Sequence, residues 1–335
     1  MDAFESSFIT SDELPLVLKP KNPNLTFQDF LNLLKENNAE LKQKMLKYGG
    51  FLFRDFPVKD IDDFSSVIDT MQIGERLDYI GGDSPRSKIK KKVYTSTEAS
   101  PSFKIPLHNE MSFQNKYPTH ISFFCDTPPA EDGETIIGDA RKIYQAMDPD
   151  VRDLFEEKGL KYISRYYHKS RIMDFVNRLQ RGHKSWIESF DTESKKEVEQ
   201  KCQVNEYGFE WLDKDWLQIN RDRPATIEHP ETKEKVWFNQ VHTFDFNPKF
   251  LGFWRYIGAT LFYCRKNTRV NDVCFGDGTK IPRKAIYHVL DVLDQQTLKF
   301  PWEKGDVMVL DNILAMHGRS TFKGDRRILT AMTKA

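Results

Sequence analysis

GDVMVLDN (305–312) and RRILTAM (326–332) are the runs on which the fold turns. Each is a short apolar segment with branched residues, bounded by glycine or charge, and too short for a helix of about ten residues or more. Similar runs stand far upstream: FLFRDF (51–56), VYTST (93–97), HISFFC (120–125) and ETIIGD (134–139), with Pro128-Pro129 and Gly133 dividing the last two. Strands drawn from both halves of a chain suit a barrel-like sandwich closed by distant segments.

Helical signals fill the intervals. Thr26 precedes Phe27, Phe30, Leu31 and Leu34, and apolar positions resume at Leu41, Met45 and Leu46 before Gly49-Gly50, which predicts a helix with its stop signal. DIDDFSSVIDTM (60–71), KFLGFWRYIGATLFY (249–263) and PRKAIYHVLDVLDQQ (282–296) also read as helices. Between about 148 and 230, DVRDLFEEKG and TESKKEVEQKC carry charged helical patterns, so this stretch reads as a helical insert. With no repeat, linker or second composition regime, the chain is expected to form one domain over 1–335. Residues 1–48 would be an N-terminal extension and helix.

Composition narrows the function. The 50 basic and 50 acidic residues cancel, so no global field draws the chain to nucleic acid or a membrane surface, and a small-molecule partner is expected. Cys125, Cys202, Cys264 and Cys274 form no CxxC pair, which argues against a zinc knuckle or disulfide framework. The first residues lack a basic then apolar leader pattern and no stretch has the length of a membrane span, so a soluble cytoplasmic protein is expected. Oligomeric state is not legible. The run Arg86, Lys88, Lys90, Lys91, Lys92 lacks interleaved aromatics and reads as a solvated loop.

His108-Asn109-Glu110 lies before a β-rich stretch, where residues two apart share a face, so imidazole and carboxylate would converge. Two histidines and one carboxylate hold iron(II) on one face of an octahedron and leave positions open. With eight histidines and 50 acidic residues in 335 positions, about one His-x-acid match arises by chance, so context must decide. His229-Pro230-Glu231 is a second match, and its setting in EHPETKEK reads as an exposed turn. His108 follows Ile105-Pro106-Leu107, and His317, after the 305–312 strand, offers a third ligand. His120, His168, His183 and His288 read as structural or exposed.

His108-Asn109-Glu110, Gly133-Glu134-Thr135, Gly305-Asp306 with Asp311-Asn312, His317-Gly318-Arg319 and Arg326-Arg327-Ile328-Leu329 together resemble the signature of the taurine dioxygenase/clavaminate synthase-like superfamily. The branch that includes syringomycin-biosynthesis-type hydroxylases is the most similar, which implies a place in secondary metabolism. FEWLDKDWL, VWFNQ and FGDGTKIP extend the resemblance from about Gly49 to the C-terminus. It implies a mixed α/β fold with a mainly β core, a double-stranded β-helix or jelly roll with helices outside. It implies iron on His108, Glu110 and His317, 2-oxoglutarate on Thr135 and Arg327, and O2 as co-substrate. Strand parity in RRILTAM lets only one of Arg326 and Arg327 point inward, and the family pattern selects Arg327. An arginine suits a dicarboxylate because its planar fork binds carboxylate in a bidentate way.

Glu110, where many relatives carry aspartate, resembles the amino-acid hydroxylases of the clavaminate synthase type and implies an amino-acid-like substrate rather than halogenation. Ser96 and Thr97, leading to His108, and Asn239, Gln240 and His242 in WFNQVH are candidate substrate contacts. The expected reaction is hydroxylation of an unactivated C–H bond; ring closure or desaturation would need the same residues, and a non-catalytic binding module is the rival from another class. Taurine enzymes carry a further arginine four residues beyond the cosubstrate arginine. Ala331 stands in that place here, so sulfonates are expected not to be substrates.

Overall fold

The expected strands form, and they lie in two sheets that share a buried layer. The computed structural model describes all residues except 12, 79–85, 98, 170–184 and 263–268, so His183 and Cys264 lie outside the described residues. His120–Thr127 is the pivot of the larger sheet, pairing antiparallel with Val307–Asp311 on one side and Arg327–Lys334 on the other. Outward from it the sheet adds Gly50–Phe53, Leu16–Pro20 and Phe4–Phe8 on one flank, and Val93–Thr95 and Lys88–Lys90 on the other. Ala315–Arg319 lies between Thr135–Asp139 and Ile105–His108 in a separate three-stranded sheet. Ile121, Phe123, Met308, Ile328 and Met332 of the large sheet pack with Ile137 and Ala315 of the small one. Burying each such side chain contributes roughly 1.5–3 kcal/mol, which fixes the register of both sheets.

The other face of the large sheet is also covered, so its strands are buried on both sides. Phe51, Phe53, Phe124, Leu329 and Ala331 pack there with Phe30, Leu34 and Phe64 from the N-terminal helices. Thr26 caps Phe27–Glu36 through a reciprocal bond with Asp29. Where one helix was expected there are two, because Asn37 leaves helical geometry and Asn38–Tyr48 starts afresh. Gly49 ends the second helix at φ 73, a left-handed conformation natural to glycine, and turns the chain into Gly50–Phe53.

The insert differs from its expectation. Pro149–Lys158 and Lys195–Val204 are helices, but Leu160–Tyr166, Gly208–Leu212 and Trp216–Arg223 join Asn271–Phe275 in a four-stranded antiparallel sheet. The buried positions Leu160, Tyr162 and Ser164, and Leu217, Ile219 and Arg221, alternate with less buried ones at the strand period of two. Charged helices on either side hid that period in the sequence. Gly252, at φ 79, likewise divides the expected 249–263 helix into Pro248–Leu251 and Phe253–Phe262. No helix among the described residues is long and apolar enough to cross a membrane.

His229 is a correction. Far from being exposed, it is 2% exposed, and its Nε2 lies 3.0 Å from Asp311 Oδ2. Its Nδ1 accepts from the Glu231 and Thr232 amides, so Nε2 carries the proton and donates to the aspartate. Asp311 Oδ1 in turn accepts from the amides of Ile313 and Leu314, 2.8 and 3.0 Å away. The turn was read correctly; what faces inward from it was not. His229→Ala should leave buried Asp311 short of a donor and lower unfolding stability by at least about 2 kcal/mol in urea titration, where a silent surface site would lose nothing. Gly318 is a tighter constraint, since a Cβ there would stand 2.4 Å from the Ile105 carbonyl and 2.8 Å from that of Pro106. Gly318→Ala should spread the small sheet and cost roughly 1–3 kcal/mol, read by the same titration.

Candidate metal centre

The small sheet brings His108 and His317 together directly, because the two are register partners on neighbouring antiparallel strands. Their rings lie 4.4 Å apart between centroids, and the ring of Phe123 from the large sheet lies tilted against His317 at 5.1 Å. Glu110 arrives by a different route from the one expected. The Ile105–His108 strand ends at the histidine, and Glu110 enters a turn in which Met111 has φ 55. Strand alternation therefore does not aim the carboxylate; Asn312 does. Its side chain accepts from the Glu110 amide at 2.7 Å and donates to the Glu110 carbonyl at 3.0 Å and the Pro118 carbonyl at 2.8 Å. Asn109 Nδ2 donates to the Asn312 carbonyl, and Gln240 Nε2 donates to the Asn109 carbonyl.

Ligand atoms of His108, Glu110 and His317 all lie within 4.8 Å of one another. His317 Nε2 is 3.4 Å from Glu110 Oε2. Burial, with the second imidazole beside it, pushes the His108 pKa down to about 3, so the ring is neutral and its lone pair is available. His108 Nδ1 sits 3.0 Å from the Pro106 carbonyl, the outer bond that orients a metal-binding histidine and leaves Nε2 for the cation. Burial alone would raise the Glu110 carboxyl, but the charge of Arg86 and the bond and charge of His317 outweigh it and hold it well below the usual carboxylate range. Two imidazoles, one of them held neutral, and an ionised carboxylate fit a divalent cation with open positions on one face.

Beside this cluster is a pocket whose lining includes Arg86, Ser96, Thr97, Phe123, Thr135 and Arg326. Arg326 is part-buried there: Nε donates to the Gly133 carbonyl at 2.8 Å, Nη1 reaches Ser96 Oγ at 3.3 Å and Nη2 reaches Thr135 Oγ1 at 3.4 Å. Burial, with Arg319 nearby, lowers its pKa to about 10, the mark of a guanidinium short of counter-charge. Thr135 Oγ1 also accepts from Trp302 Nε1 at 3.0 Å, so its own proton is free to point into the pocket.

Arg327 is elsewhere. Its side chain is 55% exposed and pairs with Asp126 at 3.0 Å. The expectation that only one of the two arginines points inward holds, but the face was reversed. Ile328 and Met332 lie in the layer between the sheets, while Leu329 and Ala331 pack against the N-terminal helices. Arg326 continues the inward set. Ala331 consequently has no bearing on the pocket, and the expected exclusion of sulfonates loses its footing.

Of the candidate substrate contacts, Ser96 and Thr97 line the pocket and Asn239 and Gln240 do not. Asn239 donates to the Ala225 carbonyl and accepts from the Val241 amide, and Gln240 braces the 108–110 turn. His242 is fully buried, which pushes its pKa to about 4. Arg86 was passed over as part of a solvated basic run; its Nη2 lies 2.6 Å from Glu110 Oε2, and its side chain is 3% exposed. Lys88, Lys90 and Lys91 in the same run are exposed, as expected. Arg319 was also missed: it donates to the carbonyls of Thr97, Ala99, Ser100 and Phe103 and so holds one wall of the pocket. No signal in the sequence marked either, because burial is what sets Arg86 apart from the lysines around it.

Known proteins match this chain along most of its length. Residues 12–333 match the family described as taurine catabolism dioxygenase TauD, TfdA. The chain is 32% identical over 284 residues to the dapdiamide synthesis protein DdaC of Enterobacter agglomerans, covering 85% of this chain and 82% of that one. It is 29% identical over 337 residues to a clavaminate synthase-like protein of Arabidopsis thaliana, covering 97% and 94%. Among solved structures, the fold is similar to that of AAD-2 in complex with Mn(II) and N-oxalylglycine, with TM-score 0.55, 12% identity and coverage of 98% and 96%. A taurine dioxygenase from Burkholderia xenovorans matches with TM-score 0.53 and 13% identity over 98% and 89%. The chain thus belongs to the TauD/TfdA dioxygenase family and is an iron- and 2-oxoglutarate-dependent enzyme that uses O2 on a small molecule.

Proposed function

We propose that His108, Glu110 and His317 hold the iron, that Thr135 and Arg326 hold the distal carboxylate of 2-oxoglutarate, and that the enzyme hydroxylates an unactivated C–H bond of a small amino-acid-like substrate. The observation that carries this reading is one pocket that joins His108 and His317 of the three-donor cluster to the part-buried Arg326 and the buried Thr135 hydroxyl. Once bound, iron supplies the redox chemistry that couples loss of CO2 from 2-oxoglutarate, giving succinate, to oxidation of the substrate by O2.

The chain's own residues do the rest. Pro106 and Asn312 fix the donors, so the cation meets a prepared face. Arg326 and Thr135 set the far end of the cosubstrate and thereby its reach toward that face. Phe123 and Ile105 form apolar walls that keep water from the reacting C–H. The two sheets packed through the Phe123, Met308 and Ile137 layer support reading the core as a double-stranded β-helix, with the 160–275 sheet outside it.

Glu110 in place of aspartate, and relatives named for dapdiamide synthesis and as clavaminate synthase-like, support the amino-acid-like class. Succinate release across a panel of amino acids, with mass analysis of products, tests it. A gain of one oxygen marks hydroxylation, whereas loss of two hydrogens marks desaturation or ring closure by the same site; no turnover with any panel member would defeat the reading.

Glu110→Gln keeps the shape of the side chain and removes its charge. It should abolish iron-dependent succinate release while circular dichroism stays native, and retention of wild-type rate would remove Glu110 from the donor set. Arg326→Ala should raise the KM for 2-oxoglutarate roughly 30-fold or more, as loss of a part-buried charged contact, whereas the exposed Arg327→Ala should change it by less than about threefold. Equal effects would contradict the placement of the two side chains.

A further inference from the structure

We propose that a second cleft, built on the helix Asn38–Tyr48, is a regulatory site for a free amino acid with an apolar side chain; its effect on the metal rests on the donor set proposed above. The cleft has a volume of about 510 Å³, within the range of roughly 300–1,000 Å³ usual for small-molecule sites. It shares no lining residue with the pocket beside the metal cluster. Met45, Phe51 and Met71 supply apolar lining, and Lys42, His120 and Glu231 supply polar lining. Lys42 and Glu231 are exposed, and neither forms an ion pair among the described residues. His120 meets Thr119 Oγ1 through Nδ1 at 3.0 Å, which leaves Nε2 without a partner among the described residues. One cation, one carboxylate and an apolar surface together match a zwitterion with an apolar body. Its carboxylate would go to Lys42, its ammonium to Glu231 and its side chain onto Met45, Phe51 and Met71. A simple acid or amine would leave one of the two charges unmatched. His120 offers a further hydrogen bond.

Two of the polar groups lead directly to the segment that holds Glu110. The Glu231 amide donates to His229 Nδ1 at 3.2 Å, and His229 Nε2 donates to Asp311 Oδ2 at 3.0 Å. His120 is the register partner of Asp311, and the Thr119 carbonyl before it accepts from the Asn312 amide at 2.8 Å. Asn312 in turn bonds both the amide and the carbonyl of Glu110. A ligand that ties Lys42 on its helix to Glu231 on the 229–234 turn therefore restrains the support of the Glu110 carboxylate. A donor already held in place loses less freedom on meeting a cation, so filling the cleft should tighten metal binding, and metal should tighten the cleft by the same factor.

The test titrates leucine, methionine and phenylalanine into the full chain without metal, alongside their primary amides and the matching acids lacking the amino group, and reads binding by calorimetry. Wild type should bind at least one of the three amino acids about fivefold or more above its amide and its deaminated acid. Lys42→Gln should remove the preference over the amide, and Glu231→Gln the preference over the deaminated acid. Both side chains are exposed, so circular dichroism should stay native in each variant. Mn(II), in place of iron, is then titrated with and without the bound amino acid, its free fraction read by electron paramagnetic resonance. The amino acid should tighten Mn(II) about fivefold in wild type. In the two variants Mn(II) alone should bind as in wild type, and the amino acid should no longer tighten it. Binding that survives both substitutions lies elsewhere and overturns the proposal, as does binding of none of the three. A preference for the amide or the deaminated acid would assign the cleft to an amine or a carboxylic acid and overturn the zwitterion. A bound amino acid that leaves Mn(II) affinity unchanged or weakens it overturns the regulatory role while the donor set stands. If wild type takes no Mn(II) even without amino acid, the donor set itself falls, and the coupling with it.

Discussion

Everything at the metal cluster depends on the clamp between residues 108–110 and residues 311–314, segments about two hundred residues apart in the chain. Asn312 satisfies both the amide and the carbonyl of Glu110, and Asn109 returns a bond to the Asn312 carbonyl. A turn carrying a positive φ at Met111 would not hold one geometry by propensity alone. The clamp supplies that geometry, and it is itself held from outside. His229 fixes Asp311, and Gln240 fixes the Asn109 carbonyl. None of these residues lines the pocket beside the metal cluster, yet they help to decide where the Glu110 carboxylate sits.

The sheets provide the complementary rigidity. His317 is flanked by His108 and Ile137 on neighbouring strands, with Gly318 allowing the backbones of 105–106 and 318 to approach. Both faces of the large sheet are packed, so a slip of Arg327–Lys334 by one residue would move Ile328 and Met332 into the helical layer and Leu329 and Ala331 out of it. The same packing that stabilises the fold therefore chooses which arginine enters the pocket.

Among the described residues, the lining of the pocket carries three guanidiniums and no carboxylate. Dry walls make each of those charges costly unless an anion arrives, and that cost is released when one does. Chemistry that proceeds through a dicarboxylate cosubstrate needs such a surplus. The guanidiniums are divided between the two ends of the pocket, Arg326 beside Thr135 at one and Arg86 against Glu110 at the other.

The sequence by itself determined the strands that meet at the pocket and the donor types they carry, but not the sheet of the insert, whose period lay hidden among charged helices. Runs such as HISFFC and GDVMVLDN are short, apolar and branched as strands are, Thr26 announces its helix, and His108, Glu110 and His317 belong to an ordered set of motifs more specific than a His-x-acid pair, which chance alone supplies about once. What it could not determine is which way a side chain points once distant segments meet. Parity names two faces without saying which is inside, so Arg326 and Arg327 were exchanged; turn residues signal a bend without saying what hangs beneath it, so His229 was placed at the surface; and a charged run averages over its members, so Arg86 was counted with the lysines around it. Each of these depends on contacts between residues separated by tens to hundreds of positions, and burial, the quantity that decides them, exists only when the sheets have closed on one another.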